Sequence, residues 1–466
     1  MALEEKIIRT EEGLKNIKND CPRCGSTDIK FNTTLGRLFC NHCKEVFIPK
    51  KLDEVETNLD NLNKNIIGSG IKDIDKNFDN IITLKCSCCG AEVIIDTSKK
   101  TYAKCHWCRN TLSINERIPN GTIPDAILPF SVTKEEAILE IKKFLSQKTK
   151  YMSPEFLKNL NLENVTGVYL PYILVDVNVH CRLVGMGKEY DKKSDTDRYF
   201  KITEEFDAII DDLTIESNVS DTDNIRTINI INSIMPYDTE NCIKFESNYL
   251  IDYICENRNL NIQDLENKMQ KQIKDIIGEY LNRKYNTIIK VKHDEYDING
   301  SQIISVYLPV WIYSYYEKKD SKSIIHYIAV NGRTKEIMGS VPINRKRLII
   351  DFILIEYASF IIGLYICYKY APSFMYMIMI FICLLFPGFS FYYITHEKYR
   401  NEFARHKYEK ESKLKIINSL YGDSNIIETT NTDKKYSFKL TIISLFKAVI
   451  IQIIVGLILF LLYKVL

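Results

Sequence analysis

Eight of the fourteen cysteines fall into one spacing used twice. Cys21 and Cys24 are followed, after fifteen residues, by Cys40 and Cys43; Cys86 and Cys89 are followed, after fifteen, by Cys105 and Cys108. Two Cys-x-x-Cys turns each aim two thiolates at one point. A short hairpin between them closes a tetrahedral four-sulfur site suited to Zn2+. Gly25 and Gly90 follow the first pair of each set, and glycine permits the tight turn that points backbone amides at sulfur. Each segment is too small to build a core unaided, so a metal would supply much of its folding energy. Four cysteines leave no open coordination position, and the expected role is structural. Disulfides and redox pairs are the competing readings, but a thioredoxin-like site needs one such pair opening a helix after a strand. Cys88 is a possible substitute for Cys86 or Cys89, which the repeat spacing favours; His42 and His106 sit where a fifth donor is unnecessary.

The compartment follows from the apolar stretch 348–394. Residues 357–368 and 371–394 carry no charge, with Lys369 between them. A membrane helix needs about 20 apolar residues to cross roughly 30 Å of hydrocarbon. The stretch predicts a transmembrane hairpin over 346–396, turning at Lys369-Tyr370-Ala371-Pro372 because proline cannot continue the first helix. Arg345, Lys346 and Arg347 precede it, and Lys398, Arg400, Arg405 and Lys407 follow it. Basic flanks stay cytoplasmic. A third span, 440–462 within the segment 440–466, follows a cytoplasmic loop at 397–439. The expectation is a multi-pass protein of the bacterial inner membrane, with its N-terminal domains cytoplasmic, its C-terminus outside and the lipid bilayer as a partner. Asp351 and Glu356 are then candidate intramembrane acids, set against the plainer reading that a helix N-terminus favours negative charge.

The rest of the 466 residues is too long for one core. Lys+Arg 62 against Asp+Glu 60 predicts no strong field for nucleic acid or acidic lipid. Ribbon one occupies 1–50 and ribbon two 81–120. Between them, at 51–80, Leu52, Val55, Leu59, Leu62 and Ile66 predict a short amphipathic helix ending at Gly68-Ser69-Gly70. An α+β domain spans 121–345. Thr133 and Glu136 form a capping-box pattern ahead of a helix over 133–146, and 262–284 reads as a second helix. Strands are expected at 165–179, 287–292, 303–316, 324–330 and 335–341, with a two-residue turn at Asn331-Gly332. Val168-Tyr169-Leu170-Pro171 and Val306-Tyr307-Leu308-Pro309 point to a duplicated helix-plus-sheet module, each proline suiting an edge or a bulge. Tyr172, Trp311, Tyr313, Tyr315 and Tyr316 are groove-lining candidates or, more simply, core. No phosphate loop, nucleophile elbow or HExxH motif is present. Cys181, Cys242, Cys255, Cys367 and Cys383 have no metal spacing and read as buried thiols.

These marks together resemble a family of bacterial zinc-ribbon membrane proteins, often misnamed after primosomal helicases. The residues that carry the resemblance are the 86–108 ribbon, Ile127-Leu128-Pro129-Phe130, Gly167 with its following phrase, Pro236-Tyr237-Asp238, Phe245, Tyr249-Leu250, Leu308-Pro309-Val310-Trp311 and Ala329-Val330-Asn331-Gly332. It covers residues 80 to 395. It implies partners such as a flotillin-like protein and a phage-shock-type envelope protein. The extra N-terminal ribbon and the third span depart from the pattern, and the helicase label fails because the motor motifs are absent. The expected architecture is therefore an α+β cytoplasmic region with two N-terminal zinc ribbons and a C-terminal helical transmembrane region. The expected function is a non-enzymatic scaffold docking proteins at the membrane. The alternative is a tethered nucleic-acid binder using the mildly basic segment 15–50.

Overall fold

The computed structural model describes residues 5–8, 21–26, 29–32, 37–47, 62–63, 65–68, 81–96, 103–112, 117–118, 124–191, 196–217, 234–235, 237–245, 253–258, 260, 262–284, 290–319, 322–370, 387–396, 398–399, 413–417 and 424–427. Two long antiparallel strands, Thr166–Asp191 and Lys290–Lys319, are paired at the centre of a 15-stranded sheet. The repeated phrases lie opposite one another there. Val168 pairs with Val310, Tyr169 with Pro309, Leu170 with Leu308 and Pro171 with Tyr307.

Both prolines lie mid-sheet rather than at an edge, each where its strand changes its second neighbour. Val168 and Tyr169 pair in parallel with the short strand Ile254–Glu256, and from Tyr172 onward the neighbour is Thr196–Glu216. Likewise Val306 and Tyr307 pair in parallel with Ala126–Ile127, and from Val310 onward the neighbour is Lys322–Asn331. Proline lacks the N–H that an unbroken ladder needs. A changeover is where that loss matters least. Each short strand comes from one copy of the repeat and pairs with the long strand of the other, so the copies are interlocked.

Alternation along these strands sorts the core onto two faces. Val168, Leu170, Tyr172 and Leu174, with Val306, Leu308, Val310 and Ile312, share one cluster with the second cysteine ribbon. The opposite face carries Tyr169, Tyr307 and Trp311 under the helix Lys134–Ser146. Farther along it, Val175, Val177, Val179 and Cys181 lie under the helix Ile262–Lys284. The first helix opens as expected: Thr133 Oγ1 accepts from Glu136 N at 3.3 Å, and Glu136 Oε2 accepts from Thr133 N at 2.9 Å. Tyr172, Trp311 and Tyr313 are buried, so they are core rather than groove; the side chain of Tyr316 lies outside the described residues.

The structure corrects the expected architecture. The described residues form mostly β-sheet, because the separate strands expected at 287–292 and 303–316 run together as Lys290–Lys319. Among them no helix is long and apolar enough to cross a membrane, which overturns the helical transmembrane region and the multi-pass inner-membrane placement. Where the first span was expected, the helix Arg345–Tyr370 buries Leu348 in the core beside Tyr151 and Tyr399. It also carries Asp351, which the protein itself engages, and Glu356, which is packed against Gly388. Most of the second expected span, 371–386, the third, 440–462, and most of the loop 397–439 lie outside the described residues.

Two smaller differences have local causes. Residues 51–61 lie outside the described set, but Leu62 is buried and Ile66 falls in the strand Asn65–Gly68, paired with residues 301–303 of the long strand. A spacing of four between Leu62 and Ile66 suits a helix or a strand entry equally. The reversal at Asn331 is wider than two residues. Asn331 N donates to Glu336 O at 2.8 Å, and Asn331 Oδ1 accepts from Arg333 N and Thr334 N, so the asparagine caps the turn with its own side chain.

Candidate metal centres

The eight cysteines converge as two four-sulfur groups: Cys21, Cys24, Cys40 and Cys43, and Cys86, Cys89, Cys105 and Cys108, each with all sulfurs within 4.8 Å of one another. In the first, Cys21 Sγ lies 3.4 Å from Cys43 Sγ, and Cys24 Sγ lies 3.7 Å from Cys40 Sγ. In the second, Cys86 Sγ lies 3.5 Å from Cys108 Sγ, and Cys89 Sγ lies 3.4 Å from Cys105 Sγ. Both groups could hold a metal ion.

One backbone pattern builds all the turns. Gly25 N donates to Cys21 O at 2.8 Å, Lys44 N to Cys40 O at 2.9 Å, Gly90 N to Cys86 O at 2.8 Å and Arg109 N to Cys105 O at 2.9 Å. The donor residue takes a left-handed conformation each time, with φ of 69° at Gly25, 65° at Lys44, 74° at Gly90 and 65° at Arg109. Glycine adopts it freely; lysine and arginine pay about 1 kcal/mol. That the second turn of each ribbon uses a side-chained residue was not signalled by sequence.

Within each group some thiols are lowered and others raised. The backbone N–H of Cys43, which donates to Cys40 Sγ at 3.5 Å, lowers the Cys40 thiol to about 6. In the second group the Cys105 thiol lowers Cys108 to about 7, and the thiols of Cys105, Cys108 and Cys89 hold Cys86 well below the usual range. Their partners move the other way, with Cys43 pushed up to about 12 and Cys24, Cys89 and Cys105 also raised. Each group therefore shares its protons among neighbouring sulfurs and holds a mixture of thiol and thiolate, the latter being the form that binds a cation.

Cys88 and His42 are exposed and belong to neither group. His106 is buried and points elsewhere: its Nε2 lies 3.6 Å from Glu256 Oε2, and neither ring nitrogen makes a hydrogen bond. Trp107 Nε1 donates to Glu256 Oε1 at 3.4 Å, Arg109 Nε donates to Ser314 Oγ at 3.0 Å, and Arg109 Nη2 donates to the Asn164 carbonyl. The second ribbon is thus tied to the sheet through residues that sequence left unassigned. Cys181, Cys242 and Cys255 are buried thiols; Cys383 and the side chain of Cys367 lie outside the described residues.

The two candidate intramembrane acids differ: Asp351 is held by protein groups, whereas both carboxylate oxygens of Glu356 are buried without a hydrogen bond. Asp351 Oδ2 accepts from Tyr151 Oη at 2.5 Å and from Lys150 Nζ at 2.9 Å, contacts that lower its carboxyl. Glu356 sits so close to Gly388 that a Cβ there would lie 2.2 Å from its Oε1. Burial raises the Glu356 carboxyl against the backbone N–H groups of Phe389 and Gly388. A third group is Asp176, Asp211 and Asp212 at a bulge in the long hairpin. The acidic run 204–212 is visible in the sequence and reads there as a solvated face, and Asp176 is the member that sequence does not join to it. Burial raises Asp176 to about 7, and Asp212 N donates to its Oδ1 at 2.8 Å.

The chain is 26% identical over 340 residues to the uncharacterized protein YdjG of Bacillus subtilis (strain 168), an alignment covering 71% of this chain and 92% of that protein. No family profile matches the chain. No solved structure matches it either.

Proposed function

We propose that the chain is a non-enzymatic zinc-ribbon adaptor: its two four-cysteine groups hold structural Zn2+, and it acts through the surfaces that the ribbons and sheet present to partner proteins. The observation that carries this reading is the sulfur geometry. Zn–S bonds of about 2.3 Å in a tetrahedron set sulfurs about 3.8 Å apart, and the paired sulfurs here lie 3.4 to 3.7 Å apart. A disulfide would bring two of them to about 2.05 Å. Zinc in these sites would neutralise thiolate charge and fix the hairpin; every ligand position is taken by protein, so neither group offers a place for substrate.

A protein partner is favoured over nucleic acid by the near balance of Lys+Arg 62 against Asp+Glu 60, which sets up no strong field for phosphate, and within the first ribbon two cations have acceptors of their own. Arg23 Nη1 is paired with Glu45 at 3.1 Å and Lys44 Nζ donates to the Asn41 carbonyl at 2.8 Å. Both are drawn to acceptors within the ribbon rather than left to phosphate. The test begins with metal analysis of purified chain: two zinc per chain are expected, and clearly fewer overturns the paired-site reading. Cross-linked co-purification from native cells then compares wild type with Cys24→Ser/Cys40→Ser. A partner recovered with the first and lost with the second supports the adaptor; equal recovery, or none, counts against it.

A further inference from the structure

Lys148 is a buried amine without an acceptor. It follows the first helix, is 5% exposed, and its Nζ makes no hydrogen bond. The Phe144 ring lies 4.0 Å from Nζ and offers it a π face but no lone pair. Among the described residues no carboxylate is paired with it: the nearby charge that acts on Lys148 is a second ammonium, the exposed Lys398, whose neighbour Tyr399 is fixed beside this turn by accepting from Tyr151 N at 3.0 Å. Lys150, two residues on, is already committed to Asp351 at 2.9 Å.

A buried cation without a partner is costly, and a like charge beside it adds to the cost. Burial first, and then Lys398, lower the Lys148 amine to about 7. Two outcomes relieve such a pair: the amine gives up its proton, or an anion enters between the two ammonium groups. The second turns both liabilities into ligands, and lysine binds phosphate as a point charge.

We propose that Lys148 and Lys398 form a binding site for a phosphate group, either free or carried on a lipid headgroup. The site is independent of the cysteine groups, so it stands or falls separately from the zinc reading. Zinc-loaded full-length protein is melted in inorganic phosphate and in chloride of matched ionic strength. At ten times the dissociation constant, mass action gives a rise of about 1 to 2 °C in the midpoint of a chain this long. Lys148→Met keeps the length and removes the amine. It is expected to melt at or above the wild-type temperature in chloride and to lose the phosphate-dependent rise; Lys398→Ala is expected to lose most of it. Phosphatidylglycerol–phosphatidylcholine vesicles, compared with phosphatidylcholine alone, separate the sources: retention on the anionic vesicles alone, abolished by Lys148→Met, marks the headgroup. No rise with phosphate and no Lys148-dependent retention on vesicles overturns the site, as does an equal response in Lys148→Met.

Discussion

In the first ribbon Cys24 is exposed and Cys43 half-buried, whereas in the second all four cysteines are buried. The first builds a small sheet of its own from Ile29–Asn32, Arg37–Cys40 and Val46–Phe47, and reaches the rest of the protein through apolar packing of Cys21, Ile29, Leu38 and Cys40. The second gives its hairpin Ile81–Lys85 and Glu92–Asp96 to the main sheet, where Ile94 pairs with Cys255 and Val93 with Glu256. Side chains reinforce that junction: Asn257 Nδ2 donates to Glu92 Oε2 at 3.1 Å, and Ser314 Oγ donates to the His106 carbonyl at 2.7 Å. Identical ligand spacing therefore serves two mechanical roles. One metal would fold an appendage; the other would fold part of the platform.

The largest expected effect separates those roles directly. Cys105→Ser should remove one zinc and unlatch the hairpin that pairs with the short strand Ile254–Glu256. Zinc contributes on the order of 10 kcal/mol to folding isolated ribbons. Even a third of that lowers the main unfolding midpoint by roughly 3 to 5 °C in a chain of this size. Calorimetry with zinc analysis checks it, and a midpoint unchanged after loss of one zinc would break the comparison. Next comes Trp107→Phe, which keeps the aromatic body and removes the N–H that donates to buried Glu256. An acceptor left short of a donor costs about 1 to 3 kcal/mol, read as a lower urea midpoint at unchanged slope.

How much was legible in the sequence follows the same division. The sulfur groups could be read from Cys-x-x-Cys spacing because metal ligation is local and stoichiometric. The first helix could be read from Thr133 and Glu136 because a capping box is local too. What could not be read depends on contacts distant in sequence. The pairing of Val168-Tyr169-Leu170-Pro171 with its later copy spans about 140 residues, and it, not strand propensity, decides where the prolines lie. The role of His106 and Trp107 depends on Glu256, far along the chain. The stretch 348–394 misled for a related reason: an apolar run carries the same signal whether it faces lipid or protein, and only the placement of Leu348, Asp351 and Glu356 shows contacts within the chain.

Cys40→Ser sharpens the comparison from the other side. It should also release one zinc, while the main transition moves by about 1 kcal/mol or less, since among the described residues the small sheet that carries these cysteines has no backbone pairing with the large sheet, which the N-terminal segment joins only through the strand Glu5–Ile8. A chelator added to wild-type protein should then extract zinc in two phases. The fast phase should vanish in Cys40→Ser and the slow phase in Cys105→Ser; a single phase would mean that the ribbons open together.

Arg23→Ala should have the smallest effect, although its ion pair with Glu45 is as short, at 3.1 Å, as many that matter. The two side chains are 68% and 38% exposed. Water and salt therefore screen their attraction, and holding two long side chains together costs entropy; exposed pairs of this kind contribute within about 0.5 kcal/mol. The variant should keep both zinc ions and the wild-type midpoint in 0.5 M salt, with at most a slight loss at low salt. A large loss that persists at high salt would show that Arg23 acts through packing rather than charge and that the first ribbon is coupled to the main transition. The contrast between appendage and platform would then have to be redrawn.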